Sequence, residues 1–428
     1  MEMVNNNISI LLFLFIVAFI LIAVEKWHRT TVSLLAAVLI ILFRYLTPIE
    51  AWNYIDFNTL GLLLGMMIIV SFFRRTGFFE YLAIKAIKVS RGDYFILFVF
   101  FFMLTGIVSA FLDNVTTVLI FSPIIILVTK MTGVSPFPYL IGEIIASNLG
   151  GTATLIGDPP NIIIGSAANL SFNDFIANLT VPVLLIMILT IFFLKTLFGN
   201  KYRISGKFDL TLVKIDEKNA IKDKKLLIQT FAVFAFVVLG FVLHDKLKIL
   251  PSIVALSGAI VLLFLTNHNP DELLHEVEWS TLFFFGGLFI LVGALEKYHV
   301  IEEIANVLLK FSSGELGLIL LIGALAFIFI IFMGAIPFVV TMVPIIQSII
   351  AKTPGINSHA LWWTLSLTSC FMGNATLIAA AANLVVAAIS EKTSEKITFK
   401  NYLRYGLPAS IFTFLLAMAY IVLRYYVL

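Results

Sequence analysis

The sequence has a single cysteine, Cys370, and few charged residues, 12% against roughly 25% in soluble globular domains. One cysteine excludes a disulfide within the chain and any metal site built from several thiolates. The six histidines are scattered, and none forms a zinc-binding pair of the HExxH kind. Serines and histidines are not paired at catalytic spacing, so the sequence does not indicate an enzyme. We expect no cofactor beyond a coupling ion and no nucleic-acid partner.

Hydrophobic residues make up 61% of the 428 residues and include 41 phenylalanines. Apolar runs such as 8–24 and 94–112 reach the roughly 20 residues with which a helix crosses a bilayer. Residues 1–24 have neither a basic leading region nor a small-residue cleavage site, which indicates a retained first span and not a signal peptide. The chain is therefore predicted to be an all-α, multi-pass protein of the inner or plasma membrane.

Two stretches of the sequence resemble each other across a spacing of 222 residues. Residues 147–165 read SNLGGTATLIGDPPNIIIG, and residues 369–387 read SCFMGNATLIAAAANLVVA. The similarity continues outside these stretches in the pairs 56–65 with 278–287 and 113–123 with 334–344. Each stretch places glycines or small polar residues inside an apolar segment of membrane-spanning length. Such paired interruptions are the best sequence indication of a transporter binding site.

Each half of the chain is predicted to contain five spans, a surface helix and a re-entrant hairpin. The halves are 1–198 and 226–428, and a charged cytoplasmic linker at 199–225 joins them. In the first half we expect spans at 8–25, 30–47, 57–74 and 176–197, an interrupted span at 138–168, a surface helix at 77–90 and a hairpin at 94–130. In the second half we expect spans at 226–244, 250–266, 279–296 and 405–427, an interrupted span at 360–390, a surface helix at 298–312 and a hairpin at 316–351.

Five crossings per half is an odd number, which places the second half upside down relative to the first and makes the repeat inverted. Lysine and arginine test the orientation, because they concentrate in cytoplasmic loops. With the N-terminus outside, the predicted inner loops, above all the linker at 199–225, contain most of the basic residues. We therefore expect the N-terminus and the C-terminus outside.

The two interruptions predict the binding site. Glycines and prolines between 150 and 160 break the first apolar stretch, and non-helical backbone at membrane depth persists only where it lines a cavity or binds a ligand. A broken span exposes a half-helix C-terminus, which favours cations, and an N-terminus, which favours anions. Asn161 and its counterpart Asn383 lie at the predicted starts of the second half-helices. A kinked helix packed through small residues is the alternative, above all for the second copy.

Three acids fall at apparent membrane depth, and all lie in the first half: Asp113, Glu143 and Asp158. No lysine or arginine falls at a comparable depth. A buried carboxylate costs from about 2.5 kcal/mol upward, so such residues usually mark ion or proton pathways. We predict that the three acids bind the coupling cation, H⁺ or Na⁺. For Glu143 the equal alternative is a carboxylate that caps a helix start near the interface.

The predicted hairpin tips offer further ligands. The first tip carries side-chain oxygens on Asp113, Asn114, Thr116 and Thr117. The second tip, 334–337, offers backbone groups, and Thr341 follows one turn later. Cys370 lies in the second interruption, where a thiol is usually a small buried hydrophobe, with a soft ligand for arsenite as the alternative.

These motifs resemble the arsenical-pump and melanosomal P-protein family of the ion transporter superfamily. The resemblance covers nearly the whole chain and rests on FLDNVTTVLIFSP at 111–123, EIIASNLGGTATLIGDPPNIIIGSAANLSFNDF at 143–175 and WWTLSLTSCFMGNATLIAAAANLVVAAISEK at 362–392. It implies two inverted repeats, a homodimer, and a transport domain that moves against a scaffold. By motif position it implies binding residues at Asp113, Asn114, Thr116, Thr117, Ser147, Asn148, Thr152, Thr154, Asp158, Asn161, Asn374, Thr376 and Asn383.

One departure from the family pattern concerns the second hairpin. Gly334-Ala335 stands where members commonly have an Asp-Asn pair before Ile-Pro-Phe. The resemblance therefore implies that the second half lacks an ion or substrate contact that other members make.

The sequence as a whole predicts a cation-coupled secondary transporter of a small anion or an arsenite-type oxyacid, working by alternating access of the elevator type. Two alternatives share the superfamily, a Na⁺/H⁺ antiporter and a dicarboxylate carrier. A channel is the alternative from another class, but the paired hairpins favour a carrier. We expect the partners to be a small ion, the lipid bilayer and a second copy of the chain.

Overall fold

The computed structural model describes residues 2–24, 26–199, 206–208, 220–393 and 395–427, and within these ranges every regular element is a helix. Much of the predicted linker lies outside the described residues. Eight of the described helical segments are long and apolar enough to cross a membrane: Phe57–Thr76, Asn114–Thr132, Phe172–Phe198, Lys224–Leu247, Trp279–Lys297, Gly314–Met333, Ala335–Lys352 and Phe399–Val427. The prediction of an all-α, multi-pass membrane protein is confirmed.

The first half contains eleven described helices, two of which the sequence analysis did not predict. They are α1 (Glu2–Val24), α2 (Arg29–Leu42), α3 (Pro48–Tyr54), α4 (Phe57–Thr76), α5 (Phe78–Ser90), α6 (Tyr94–Ser109), α7 (Asn114–Thr132), α8 (Phe137–Gly151), α9 (Pro159–Ala168), α10 (Phe172–Phe175) and α11 (Val181–Phe198). A π-helical turn, Ile176–Thr180, joins α10 to α11. The additional pieces are the short helices α3 and α10, whereas α9 is the half-helix expected near Asn161.

The second half contains ten described helices. They are α12 (Lys224–Leu247), α13 (Pro251–Thr266), α14 (Pro270–Leu274), α15 (Trp279–Lys297), α16 (Val300–Phe311), α17 (Gly314–Met333), α18 (Ala335–Lys352), α19 (Ser358–Met372), α20 (Ala381–Ser390) and α21 (Phe399–Val422). Each span, surface helix and hairpin expected from the sequence has a helical counterpart, and the boundaries differ by a few residues.

One boundary differs for a clear reason. The second span was predicted to run to residue 47, but α2 ends at Leu42. Thr47 starts α3 instead, because its hydroxyl accepts the Glu50 N–H while the Glu50 carboxylate accepts the Thr47 N–H, with Pro48 at the first helical position. The Glu50 carboxylate also pairs with Lys297 at 2.7 Å. The Lys297 and Thr47 hydrogen bonds lower the pKa of Glu50 to about 2.

The two halves interlock along their spans. Helices α2 and α4 of the first half pack along α15 and α13 of the second half, respectively. Within the halves, α6 packs along α8 and α17 along α19. These contacts come in pairs related by the 222-residue spacing, which supports the internal repeat. The inverted orientation and the domain boundaries stay predictions.

Candidate functional site

Each broken span consists of two half-helices joined by a non-helical or 3-10 segment, and the residue before the second half-helix is extended. In the first half, α8 ends at Gly151 and α9 begins at Pro159. Asp158 has φ −139° and ψ 133°, the extended conformation that a residue before proline favours. In the second half no proline enforces the break, yet Ala380 has φ −142° and ψ 145° between α19 and α20. The second half therefore also contains a break, with a short 3-10 turn at Leu377–Ala379, and α19 and α20 do not form one continuous kinked helix.

Each break is held by one buried asparagine. Asn161 Nδ2 donates to the carbonyls of Thr152 (3.0 Å) and Thr154 (2.9 Å). Asn383 Nδ2 donates to the carbonyls of Gly373 (2.7 Å) and Thr376 (2.8 Å). Both asparagines are fully buried. An amide NH₂ has two donors, so one side chain satisfies two carbonyls that the broken helix has left free.

Two threonines connect the breaks to the hairpins. The Thr154 hydroxyl donates to the carbonyl of Ala110, just after α6. The Thr376 hydroxyl donates to the carbonyl of Ile331, near the end of α17, at 3.0 Å. Each hairpin end is thus hydrogen-bonded to the broken span of its own half, so hairpin and break form one unit.

Asn148 joins the first break to the second. Its Nδ2 donates to Asn374 Oδ1 (2.8 Å) and to Asn383 Oδ1 (3.1 Å), and its Oδ1 accepts from Asn114 Nδ2 (2.9 Å). The orientation of each amide in this hydrogen-bonded series follows from main-chain carbonyls. Two carbonyls accept from the Asn383 NH₂ group, which leaves Asn383 Oδ1 to accept from Asn148. Two atoms consequently have no hydrogen-bond partner, the acceptor Asn114 Oδ1 and the donor Asn374 Nδ2.

A small cavity lies between the hairpin tips and the breaks. Its polar wall includes three carboxylates, two amides and one guanidinium: Asp113, Asp158, Glu278, Asn114, Asn148 and Arg29. Its water-accessible space is about 60 Å³, which is room for about four water molecules. The N-termini of α7, α9, α18 and α20 border it, through residues such as Asn114, Pro159, Ala335 and Ala381. Acidic side chains and positive helix ends therefore face the same space.

A second, wider space of about 680 Å³ adjoins this cavity. We call it the vestibule; it is lined by Trp27, His28 and Leu384, and it shares Arg29 and Glu278 with the cavity. It opens beside the loops that precede α2 and α15, which the predicted topology places on the cytoplasmic side.

The structure divides the sequence-predicted residues into three groups. Four of them line the cavity: Asp113, Asn114, Asn148 and Asp158. A second group stabilises the frame around it. This second group includes the residues that hold the breaks, Asn161, Asn383, Thr154 and Thr376. It also includes Thr152, whose hydroxyl donates to the Asn148 carbonyl at 2.8 Å. The Ser147 hydroxyl donates to Ile144 O in its own helix.

Three threonines and one acid lie outside the cavity wall. Thr116 is buried, and its main-chain N–H donates to Asp113 Oδ1, which caps α7. Thr117 is fully buried, and its hydroxyl has no partner. The Thr341 hydroxyl donates to Pro337 O within α18. Glu143 lies inside α8, which begins at Phe137, so it does not cap a helix start.

Glu143 is almost completely buried between α7 and α8. Ser122 Oγ donates to Glu143 Oε2 at 2.8 Å, and Oε1 has no hydrogen-bond partner. A buried ionised carboxylate with one hydrogen bond is unfavourable. The structure thus separates Glu143 from Asp113 and Asp158, with which the sequence had grouped it.

Sequence reasoning missed two charged residues of the cavity. Glu278 precedes α15 and accepts from the Thr281 hydroxyl at 3.2 Å, and it reaches the cavity from the second half. Arg29 is the first residue of α2, and its guanidinium lies 5.2 Å from the Phe284 ring. The sequence analysis considered acids at membrane depth, all in the first half, and found no basic residue at that depth, so neither Glu278 nor Arg29 was among its candidates. The internal repeat aligns Glu278 with Asp56, which caps α4, and this alignment was the sequence signal that could have identified Glu278.

The chain is similar to transporters over nearly its whole length. A family model described as "CitMHS: Citrate transporter" matches residues 19–368. A protein of Mycobacterium tuberculosis (strain CDC 1551 / Oshkosh), named only as an uncharacterized transporter, is 39% identical over 424 residues, which is 96% of this chain and 98% of that protein. The P protein of Mus musculus is 31% identical over 500 residues, covering 95% of this chain and 59% of the P protein.

Two solved structures share the fold at low sequence identity. The YdaH transporter of Alcanivorax borkumensis has a TM-score of 0.64 at 15% identity, covering 89% of this chain and 88% of that chain. MtrF of Neisseria gonorrhoeae, described as illuminating a class of antimetabolite efflux pumps, has a TM-score of 0.53 at 12% identity, covering 91% and 85%. The chain is a multi-pass membrane transporter and belongs to the CitMHS citrate transporter family, which agrees with its resemblance to the melanosomal P protein.

Proposed function

We propose that the protein is a cation-coupled secondary transporter of a small anion, with a carboxylate such as citrate as the first substrate to test. The cation, Na⁺ or H⁺, binds at Asp113 and Asp158. The observation that carries this proposal is the cavity itself, where the partly buried carboxylate of Asp113 and the buried carboxylate of Asp158 lie beside the starts of four helices.

The charge balance of the cavity supports coupling. Asp113 and Asp158 are two negative charges in a largely buried space, and such charges require a cation or a proton. An anionic substrate adds further negative charge. It enters more readily when the cation is already bound, because the cation removes the repulsion. Binding of one ion therefore favours binding of the other, as a coupled carrier requires.

The hydrogen-bond pattern supports alternating access. Hairpins, breaks and the Asn148 bridge form one connected unit, whereas α2, α4, α13 and α15 pack on one another across the halves. We assign the first set to a transport domain and the second to a scaffold. In this conformer the vestibule gives the cavity access to the predicted cytoplasmic side, so we interpret it as facing inward.

A Na⁺/H⁺ antiporter is the second candidate. The observation that favours it is the narrow cavity of about 60 Å³ with its three carboxylates. That space suits a small cation better than a citrate-sized anion. An arsenite-type oxyacid, which is largely neutral and small, also fits this volume.

Uptake by purified protein in liposomes tests the proposal. We expect a Na⁺ or pH gradient to drive labelled citrate transport, and Asp113→Asn or Asp158→Asn to abolish gradient-driven transport, because the cation site loses its charge. Asp271→Asn is the matched control, since Asp271 is an exposed aspartate of α14. It should transport like the wild type.

The outcomes separate the candidates. Gradient-driven movement of citrate, of another carboxylate or of arsenite supports a coupled carrier and names its substrate. Proton movement driven by a Na⁺ gradient with no effect of any anion establishes the antiporter instead. Undiminished coupled transport in both aspartate variants would exclude Asp113 and Asp158 as the cation site.

A further inference from the structure

The cavity and the vestibule meet at a neck. The neck consists of the five residues that line both spaces: Arg29, Val115, Glu278, Thr281 and Ala381. We propose that Arg29 binds a carboxylate or oxyanion group of the substrate at this neck, as the substrate passes between the vestibule and the cavity. This inference rests on the proposed function and goes beyond it, because it assigns a substrate contact to the scaffold.

The polar side chains of the neck come from the scaffold. Arg29 begins α2, and Glu278 and Thr281 lie at the start of α15. Val115 of α7 and Ala381 of α20 belong to the proposed transport domain, and their side chains are apolar. Among these five residues, Arg29 is therefore the one with a positive charge that an anion meets on its way.

Contacts between α2 and α15 hold Arg29 at the neck. The hydroxyl of Thr30, the next residue, donates to the Ser280 carbonyl at 2.7 Å. The Arg29 guanidinium lies 5.2 Å from the centroid of the Phe284 ring, which is 1% exposed. A cation over an aromatic face is attracted to that face. These contacts position the guanidinium before a substrate arrives, which lowers the entropic cost of binding.

An arginine is locally unfavourable at the first position of α2. The start of a helix carries a partial positive charge that repels a cation, and the first turn of α2 contains no acidic residue. Residues that break a local preference in this way are expected mainly at functional sites. Helix stability therefore does not explain Arg29, whereas binding of an anion at the neck does.

The internal repeat shows that scaffold packing does not require an arginine at this position. At the spacing of 222 residues, the counterpart of Arg29 is Pro251, the first residue of α13. The Ser252 N–H donates to Asn58 Oδ1 at 3.2 Å, so the start of α13 is hydrogen-bonded to the start of α4 as the start of α2 is to the start of α15. The same packing forms with proline in one half and arginine in the other. The guanidinium is thus specific to the helix pair beside the vestibule.

Glu278 is the group that competes with an anion for Arg29. Arg29 and Arg74 stabilise the negative charge of Glu278, and Asp113 opposes it. The counterpart Asp56 caps α4 through main-chain N–H groups, whereas Glu278 makes no such hydrogen bond at the start of α15. The Glu278 carboxylate can therefore balance the Arg29 charge while the neck is empty. Removing its negative charge should strengthen anion binding.

Transport measured separately from each side of the membrane tests the inference. Labelled citrate is supplied at saturating Na⁺ to vesicles whose vestibule faces the citrate, which are inside-out by the predicted topology, and to right-side-out vesicles. We expect Arg29→Gln to raise the KM for citrate about tenfold to a hundredfold from the vestibule side, because a hydrogen bond between charged groups is lost. From the opposite side the KM should stay unchanged, because the neck belongs to the inward-facing conformer.

Three further variants separate binding from a structural role. Arg29→Lys keeps the charge but loses the planar pair of donors, so its KM should rise less than that of Arg29→Gln. Glu278→Gln should lower the KM from the vestibule side about threefold, the opposite direction to Arg29→Gln. Lys392→Gln is the matched control, since Lys392 is an exposed residue after α20 that lines neither space, and its KM should stay within about twofold of the wild type. Thermal melting of each purified variant shows that it is folded.

The outcomes distinguish failure of this inference from failure of the proposed function. An equal KM change on both sides in Arg29→Gln, or an unchanged KM on the vestibule side, would overturn the inference and leave coupled anion transport standing. A KM change in the same direction in Arg29→Gln and Glu278→Gln would also overturn it, since the two residues would then act as one structural pair.

The wild type decides the remaining cases. If it carries arsenite and no carboxylate, the inference fails, because a neutral oxyacid gains no charge attraction from Arg29, and coupled transport stands. If it carries neither citrate, a smaller carboxylate nor arsenite, the proposed function is refuted, and the inference with it.

Discussion

At the scale of single residues, Asn161 shows why an amide is needed inside a broken span. Its Nδ2 donates to two main-chain carbonyls, and its Oδ1 accepts from the Ser366 hydroxyl at 2.6 Å. An aspartate at this position lacks the donors, and an apolar residue lacks both functions. The side chain is fully buried, so water cannot take over these hydrogen bonds. Asn161 therefore stabilises the break from which Asp158 reaches the cavity.

Replacing Asn161 by alanine should destabilise the protein strongly. Each carbonyl left without a donor costs about 1–3 kcal/mol, so the melting temperature in detergent should fall clearly. Asn173→Ala is the matched control, because Asn173 is exposed and makes one hydrogen bond, to Val242 O. Its effect should stay within about 0.5 kcal/mol. Equal melting temperatures for the two variants would show that Asn161 does not hold the break.

At the scale of helices, the hairpin of the first half depends on a contact between two glycines. A Cβ atom on Gly150 of α8 would lie 2.1 Å from the carbonyl oxygen of Gly106 and 2.3 Å from its Cα. These are backbone atoms of α6, which cannot move away as a side chain can. Small residues allow the helix backbones of membrane proteins to approach this closely. The contact positions Asp113, which follows α6, against the break that follows α8.

Gly150→Ala should therefore separate α6 from α8 and lower both stability and transport. Gly286→Ala in α15 is the matched control, since a Cβ there meets no atom within 4 Å. Alanine at that position should be neutral or stabilise the helix by about 0.5–1 kcal/mol. Thermal melting and citrate uptake measured side by side give the comparison. A Gly150→Ala protein as stable and active as Gly286→Ala would contradict the close packing.

The sequence predicted most helices because their signals are local. Asp113 and Asn114 interrupt an apolar segment, and this polar turn marks the first hairpin without knowledge of any other element. The short helix α3 was missed because it lies between the spans predicted at 30–47 and 57–74, and the sequence analysis did not use its Thr47–Glu50 capping pair. The second break was the harder case, since Ala379–Ala382 is compatible with a continuous helix. This break is held by the Asn383 hydrogen bonds to Gly373 O and Thr376 O and by the Thr376 hydrogen bond to Ile331 O of the hairpin, none of which the apolar pattern shows.

At the scale of the whole molecule, the position of the vestibule leads to a prediction about access. Cys370 lines the cavity, is 1% exposed, and is the chain's single cysteine. The rate at which a reagent modifies this thiol therefore measures access to the cavity, and no cysteine has to be introduced. The vestibule reaches this cavity from the side of Trp27 and His28, which the positive-inside rule places in the cytoplasm.

We expect a small, membrane-impermeant thiol reagent to label Cys370 more rapidly in inside-out vesicles than in right-side-out vesicles. Labelling should be slow, because the thiol is buried, and citrate with Na⁺ should slow it further by occupying the cavity. Mass spectrometry of the modified protein measures the rate, and Cys370→Ser provides the background. Faster labelling from the outside would contradict either the predicted orientation of the protein in the membrane or the interpretation that this conformer faces inward.

The sequence by itself determined the membrane class, the helix pattern, the paired breaks and the acidic character of the first half. These depend on composition and on local features, such as apolar length, proline, glycine and an internal repeat. Only the tertiary structure showed that Glu278 and Arg29 reach the cavity, that Glu143 does not, and that Asn148 joins the two breaks. Each of these depends on contacts between residues distant in the chain, because packing of the interlocked halves, and no local signal, brings them together.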